Sequence, residues 1–146
     1  MVTTGRSLRV DADLGVLADV RRFVQQAAAE ADAPVDCLED LVQAVDEAAT
    51  NVIVHGYRGA PGWLEVTAAR EGEDFVVRLE DGAEAFDPTT YPEPDLMVPP
   101  MARKPGGMGV HLMRRSTDVM TYRPRPGGGN ILTLVRSMKP GRNEEG

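Results

Sequence analysis

Glu47, Asn51 and His55 follow one another at four-residue steps inside the run EAATNVIVHGY at 47–57. On a helix that spacing puts all three on one face, roughly opposite Val45 and Val52. A carboxylate and an amide oxygen one turn apart can work together on a phosphate. The Asn oxygen is a hard ligand suited to Mg²⁺, which takes few protein ligands and leaves its other positions to water and phosphate oxygens. The Glu can accept a proton from an attacking hydroxyl or position a water. His55 either extends this polar set or caps and packs the helix end. Polar residues at helical spacing also describe a solvated face, so spacing alone leaves both readings open.

Two further blocks carry chemistry. LEDGAEAFDP at 79–88 follows an apolar strand. A half-buried carboxylate at a strand end can accept a hydrogen bond from the amino group of a base, and small neighbours let the base approach the backbone. Glu80 and Asp81 are the acids at that end, and a plain turn after a strand, a common use of Asp and Gly, is the simplest reading. RKPGGMGVHLMRR at 103–115 sets Gly106, Gly107 and Gly109 directly before a helix. Such glycines permit close backbone approach, and a helix N-terminus offers unpaired N–H groups to phosphate oxygens. Arg103 and Lys104 either neutralise phosphate charge or stand as solvated loop charges.

The elements that must hold these residues can be read from periodicity. SLRVD at 7–11 alternates as a strand, and the apolar spacing from Leu14 predicts a helix ending near Asp32, closed by Ala33-Pro34. Asp36, followed three residues on by Glu39, predicts the N-cap of a second helix. Its core face is Leu38, Leu41, Val42, Val45, Ala49 and Val52, and Gly56 with the run at 58–62 ends it. Strands are predicted at 63–70 and 74–80, joined by a hairpin turn. From Asp87 to Gly107 the chain carries six prolines and no periodicity, a loop beyond the usual length of about 12–15 residues, which reads as a lid. A short helix at 109–118 and two strands, 119–125 and 130–138, complete the order, with a frayed tail at 139–146. A mostly antiparallel sheet covered by helices on one face follows.

EAATNVIVHGY closely resembles the N-box of the GHKL ATPases, in the version found in bacterial anti-sigma factors that are serine-protein kinases. The resemblance implies that Glu47 is the catalytic base and that Asn51 binds Mg²⁺. LEDGAEAFDP is similar to the G1 box, aligned on Phe86-Asp87-Pro88, which gives Asp81 the adenine; Ala83 stands where the first glycine is expected, and an alternative register, not preferred, takes Glu80 as the acid and Gly82 as the glycine. The 103–115 block resembles the G2 box at the end of the ATP lid, which implies phosphate contacts from Arg103, Gly107, Gly109 and Val110. GGGNILTLVRSM resembles the last strand, with Thr133 as a minor nucleotide contact or simply a strand threonine. The implied fold is an α+β, two-layer α/β sandwich of the GHKL (Bergerat) type over residues 1–146 as one ATP-binding domain. The implied function is an anti-sigma factor with serine/threonine kinase activity. It would use ATP and Mg²⁺ to phosphorylate an anti-anti-sigma STAS-domain antagonist, and it would act as a homodimer. The competing expectation is a binding module that keeps the fold without kinase activity. A stand-alone ATPase acting on a small molecule ranks last.

Composition sets the outer limits. The chain has 146 residues, a formal charge of −7 and one cysteine. That length carries a core without disulfides, and Cys37 has no internal partner, reading as a small half-buried residue at a helix start. The acidic charge argues against broad nucleic-acid binding. No apolar run is long enough to span a bilayer, and MVTTGRSLRV lacks the apolar core of a signal peptide, so the cytoplasm is the expected compartment.

Overall fold

The computed structural model describes residues 5–92, Met97 and 107–139. Five strands form one sheet: β1 (Arg6–Asp11), β2 (Trp63–Glu71), β3 (Asp74–Asp81), β4 (Val119–Pro124) and β5 (Asn130–Ser137). Their spatial order is β1-β2-β3-β5-β4, and every neighbouring pair is antiparallel. Among the described residues three helices, α1 (Leu17–Glu30), α2 (Val35–Thr50) and α3 (Gly107–Arg115), join the sheet together with short single turns. The register explains why the helices lie on one face. Val10, Leu64, Asp81 and Asn130 align across the strands, as do Leu8, Val66, Leu79 and Leu132, and Ala68, Val77 and Leu134. These rows are buried or partly buried, while the intervening rows carry Arg9, Glu65, Arg78 and Thr133. With a period of two, one face is committed to the core, while the other mixes charged and polar residues with Trp63, Val76, Ile131 and Val135.

α2 is the central helix, packed on α1, α3, β3 and β5. It therefore buries a wider arc than a single apolar stripe: Leu41, Val45 and Ala49 are buried as expected, and so are Cys37, Ala44 and Ala48. Small residues at 44 and 48 let the neighbouring helices approach. Cys37 is fully rather than half buried, at 1% exposure. The expected N-cap is also corrected. Pro34 occupies that position, and Asp36 falls in the first turn without a capping bond. Its carboxylate instead lies 3.5 Å from the guanidinium of Arg136, which is 1% exposed and also donates to Asp40 at 3.0 Å. A buried Arg on β5 needs carboxylate partners, and that demand outweighs the local cap.

The hairpins follow their turn residues. β2 and β3 close through Gly72 at φ 64°, a left-handed conformation that favours glycine. Between β4 and β5, Gly127, Gly128 and Gly129 all have positive φ. At Gly129 an added Cβ would sit 2.0 Å from the backbone oxygen of Asp81. The triple glycine thus lets the turn lie directly on the end of β3, which brings Asn130 beside Asp81. Of the expected lid at 87–107, the described part begins with Asp87, whose carboxylate caps a single 3₁₀ turn (Pro88–Thr90) by accepting from Thr89 N at 2.8 Å. Residues 98–106, with Arg103, Lys104 and Gly106, lie outside the described residues, as does the tail from 140.

Candidate nucleotide-binding site

α2 does not end as a regular helix. Asn51–Gly56 form a π-helical turn, closed by the Tyr57 N–H donating five residues back to Val52 O at 2.8 Å. The β-branched run Val52-Ile53-Val54 is a poor α-helix former, and wider turns of this kind frequently sit at functional sites. The consequence is a change of facing. Val52, expected on the core side, joins Asn51 and the exposed His55 in lining one cavity.

That cavity, of about 250 Å³, lies between the π turn, the end of β3, the 83–91 segment, α3 and the start of β5. Ala48, Val52, Leu79, Phe86, Met113 and Leu132 make most of its wall apolar. Asp81, 2% exposed, supplies a buried acid. Its Oδ1 accepts from Ala83 N and from Asn130 Nδ2, both at 2.9 Å. Oδ2 carries no hydrogen bond among the described residues. Burial raises the carboxyl above its ordinary value of 3.8, against the lowering effect of those two donors. An apolar slot with one buried acceptor suits a flat ring carrying an amino group. Glu80, the acid of the alternative register, points to the other face, where Arg125 donates to it at 2.8 Å.

Ala83 lines the cavity and is itself 6% exposed. Its methyl is accommodated across the site by Gly56, where an added Cβ would stand 2.9 Å from it. The departure from the G1 pattern is therefore matched by a small residue at the end of the π turn.

Beside the cavity, at its Asn51 wall, Glu47, Asn51 and Gly109 meet. A Cβ built on Gly109 would lie 3.0 Å from Glu47 Oε2 and 3.5 and 3.6 Å from Asn51 Oδ1 and Nδ2. Gly107 and Gly109 belong to the first turn of α3 rather than to a loop before it, so Gly109 lets that turn close down on the two side chains. Asn51 Nδ2 is buried with no hydrogen-bond partner among the described residues. Leaving such a donor unpaired costs about 1–3 kcal/mol, which an oxygen acceptor on a ligand would recover. The same amide carries Oδ1, an acceptor that can face a cation. These residues fit a phosphate-bound Mg²⁺. Among the described residues no cluster of three His, Cys, Asp or Glu side chains could hold a metal, so a cation here depends on Asn51 together with phosphate and water oxygens. Glu47 is pushed above its ordinary value of 4.5, first by burial and then by the charge of Asp46.

Not every sequence candidate comes to the cavity. Glu47 lies beside it rather than in its wall, and Val110 is fully buried in the core, which leaves only its backbone for a ligand. Thr133 is excluded by register: it pairs with Arg78 and Thr121 on the sheet face away from the cavity. The β5 residues that reach the cavity are Asn130 and Leu132. Asn130 was not singled out by the sequence, yet its Oδ1 accepts from Phe86 N at 2.9 Å and Tyr122 OH at 2.7 Å, and its Nδ2 also donates to Glu84 O. Tyr57 is a second such residue. Its hydroxyl accepts from Gly82 N at 2.8 Å and donates to Trp63 O at 2.8 Å, fixing the turn after Asp81. A polar residue directly after three glycines, and a Tyr ending the N-box run, were the available signals.

Comparison with known proteins agrees with this geometry. A family model described as "Histidine kinase-like ATPase domain" matches residues 10–136. An anti-sigma F factor of Thermoanaerobacter sp. (strain X514) is 29% identical over 119 residues, 82% of this chain and 81% of that protein. The serine/threonine-protein kinase BtrW of Bordetella bronchiseptica is 31% identical over 106 residues, 68% of this chain and 70% of that one. The structure of the RsbU and RsbW domains of Rv1364c from Mycobacterium tuberculosis superposes with a TM-score of 0.67 at 19% identity. It covers 92% of this chain, which spans 32% of that longer protein. The match across most of the length, carried by a shared fold, makes the chain a member of the histidine kinase-like (GHKL) ATPase family, similar to bacterial anti-sigma factors and serine kinases.

Proposed function

We propose that the chain is a single ATP-binding domain that works as an anti-sigma factor with serine/threonine-protein kinase activity. It would phosphorylate a small anti-anti-sigma antagonist of the STAS type, in a homodimer in the bacterial cytoplasm, without direct nucleic-acid or membrane binding. The observation that carries this reading is the meeting of Glu47, Asn51 and Gly109 beside an apolar cavity lined by Asn51 and by the buried acid Asp81. Relatives named as an anti-sigma factor and as a serine/threonine kinase support it.

In the proposed reaction Asp81 accepts a hydrogen bond from the adenine amino group, and the apolar wall sandwiches the ring. The backbone N–H groups opening α3 face the phosphates, where helix N-termini favour negative charge; Arg103 would add its charge there. Mg²⁺, held on the protein side by Asn51, would supply neutralisation of phosphate charge. Glu47 accepts the proton of the substrate hydroxyl as that oxygen bonds the γ-phosphorus and ADP departs with the bridging oxygen. Phosphate on the antagonist would disfavour its complex and leave the sigma factor captured.

The test is transfer of labelled phosphate from ATP to the cognate antagonist. Asn51→Ala should abolish it, and near-normal transfer would remove the assigned role. A second reading, a partner-binding module without kinase activity, is favoured by Ala83, whose methyl takes space in the cavity wall. Failure of the wild-type chain to bind ATP at millimolar concentration would select it.

A further inference from the structure

We propose that Arg114 is a positioning residue for the nucleotide base, holding the 86–91 wall of the cavity against α3; this rests on reading the cavity as the ATP site. Arg114 lies in the last turn of α3. One nitrogen of its guanidinium donates to the backbone oxygens of Pro88 at 2.9 Å, Thr89 at 3.3 Å and Tyr91. These oxygens belong to the single 3₁₀ turn after Asp87 and to the residue that ends it. Three carbonyls converging on one point repel each other unless a cation stands between them, and a charged donor roughly doubles the strength of each bond.

The turn so held is part of the site. Pro88 and Tyr91 line the cavity with Phe86, and the Phe86 and Tyr91 rings meet edge to face with centroids 5.6 Å apart. On its other side the segment is tied through Phe86 N to Asn130, the partner of Asp81. The aromatic wall is thus suspended between two anchors. Asn130 fixes it to the sheet and Arg114 fixes it to the helix whose first turn carries Gly109 against Glu47. Within the turn itself the Asp87 carboxylate accepts from Thr89 N at 2.8 Å and Thr89 Oγ1 at 2.5 Å, short-range bonds that do not tie it to α3.

Because the wall touches the base, its loosening should be felt by every nucleotide that carries that base. Calorimetric titration of AMP, ADP and Mg-ATP into wild type and Arg114→Ala at one temperature provides the test. The expected result is a rise in Kd of about tenfold, the same for all three nucleotides, with Arg114→Lys recovering part of the loss. In phosphate transfer KM for ATP should rise with little change in kcat. Should the alanine chain fail to fold, Arg114→Gln, which still donates but lacks the charge, carries the same comparison. Unchanged Kd values beside a lowered melting temperature would overturn the proposal by reducing Arg114 to a purely structural role. A loss that grows with the number of phosphates would overturn it by making Arg114 a phosphate ligand. Wild-type chain that binds none of the three would overturn the ATP-site reading itself, an outcome separate from unchanged binding in the variant.

Discussion

Substituting Gly109 by Ala should separate stability from activity with opposite signs. Gly109 sits in the first turn of α3, and an added Cβ would lie 3.0 Å from Glu47 Oε2. That is closer than ordinary van der Waals contact, so the carboxylate must retreat by a few tenths of an ångström. The contacts to Asn51 at 3.5 and 3.6 Å need no movement. Misplacing a reacting group by about 1 Å costs roughly 10²-fold in rate, so a shift of about a third of that should cost about fivefold. Ala in place of Gly within a helix is worth up to about 1 kcal/mol of stability. The expected variant therefore melts at or above the wild-type temperature while transferring phosphate about five times more slowly at saturating ATP. Thermal melting and single-turnover transfer measure the two effects. Wild-type turnover in a stabilised variant would refute the placement of Glu47 at the reacting end. Parallel loss of both would make the contact structural.

Two further outcomes follow from ionisation. A base must be deprotonated, so the rate should climb with pH through the raised value of Glu47; Asp46→Asn removes the neighbouring charge that contributes to that rise and should move the climb to lower pH. An unmoved pH–rate profile would count against Glu47 as the base. Glu47 and Asp81 also bear on stability. Because both are raised on folding, what their protonated forms contribute is fully present below 4.5 and 3.8 and is lost as pH rises through the higher folded values. Burial above all pushes the Cys37 thiol from 9.0 to about 11. Its iodoacetamide labelling at about pH 8 should be negligible in the folded chain and fast in urea, and rapid labelling of the folded chain would contradict the burial.

The elements and much of the site could be read from the sequence because their signals are local. Period-two alternation marked β2 and β3 to within a residue, and the 47–57 run carried Glu47 and Asn51 together. What could not be read depended on the third dimension. The π turn arises where a β-branched run meets the end of a packed helix, and it moved Val52 from the core side into the cavity. The displaced cap of α2 reflects a buried Arg136 that lies 100 residues from Asp36. Strand patterning left Thr133 open between a minor nucleotide contact and an ordinary strand threonine, and pairing with Arg78 on the opposite face decides for the second. Asn130 joined the site because Gly129 lets its turn rest on Asp81, a contact that strand patterning does not encode.

In the proposed function one cavity binds the adenine of ATP through Asp81 while Asn51 serves the phosphate end. Calorimetric titration of ATP, with and without Mg²⁺, into the wild-type chain, Asp81→Asn and Asn51→Ala tests this directly. Expected are saturable binding by wild type, loss of binding in Asp81→Asn whether or not Mg²⁺ is present, and loss of the Mg²⁺-dependent gain alone in Asn51→Ala. Equal binding by wild type and Asp81→Asn, or no binding by wild type at millimolar nucleotide, would contradict it.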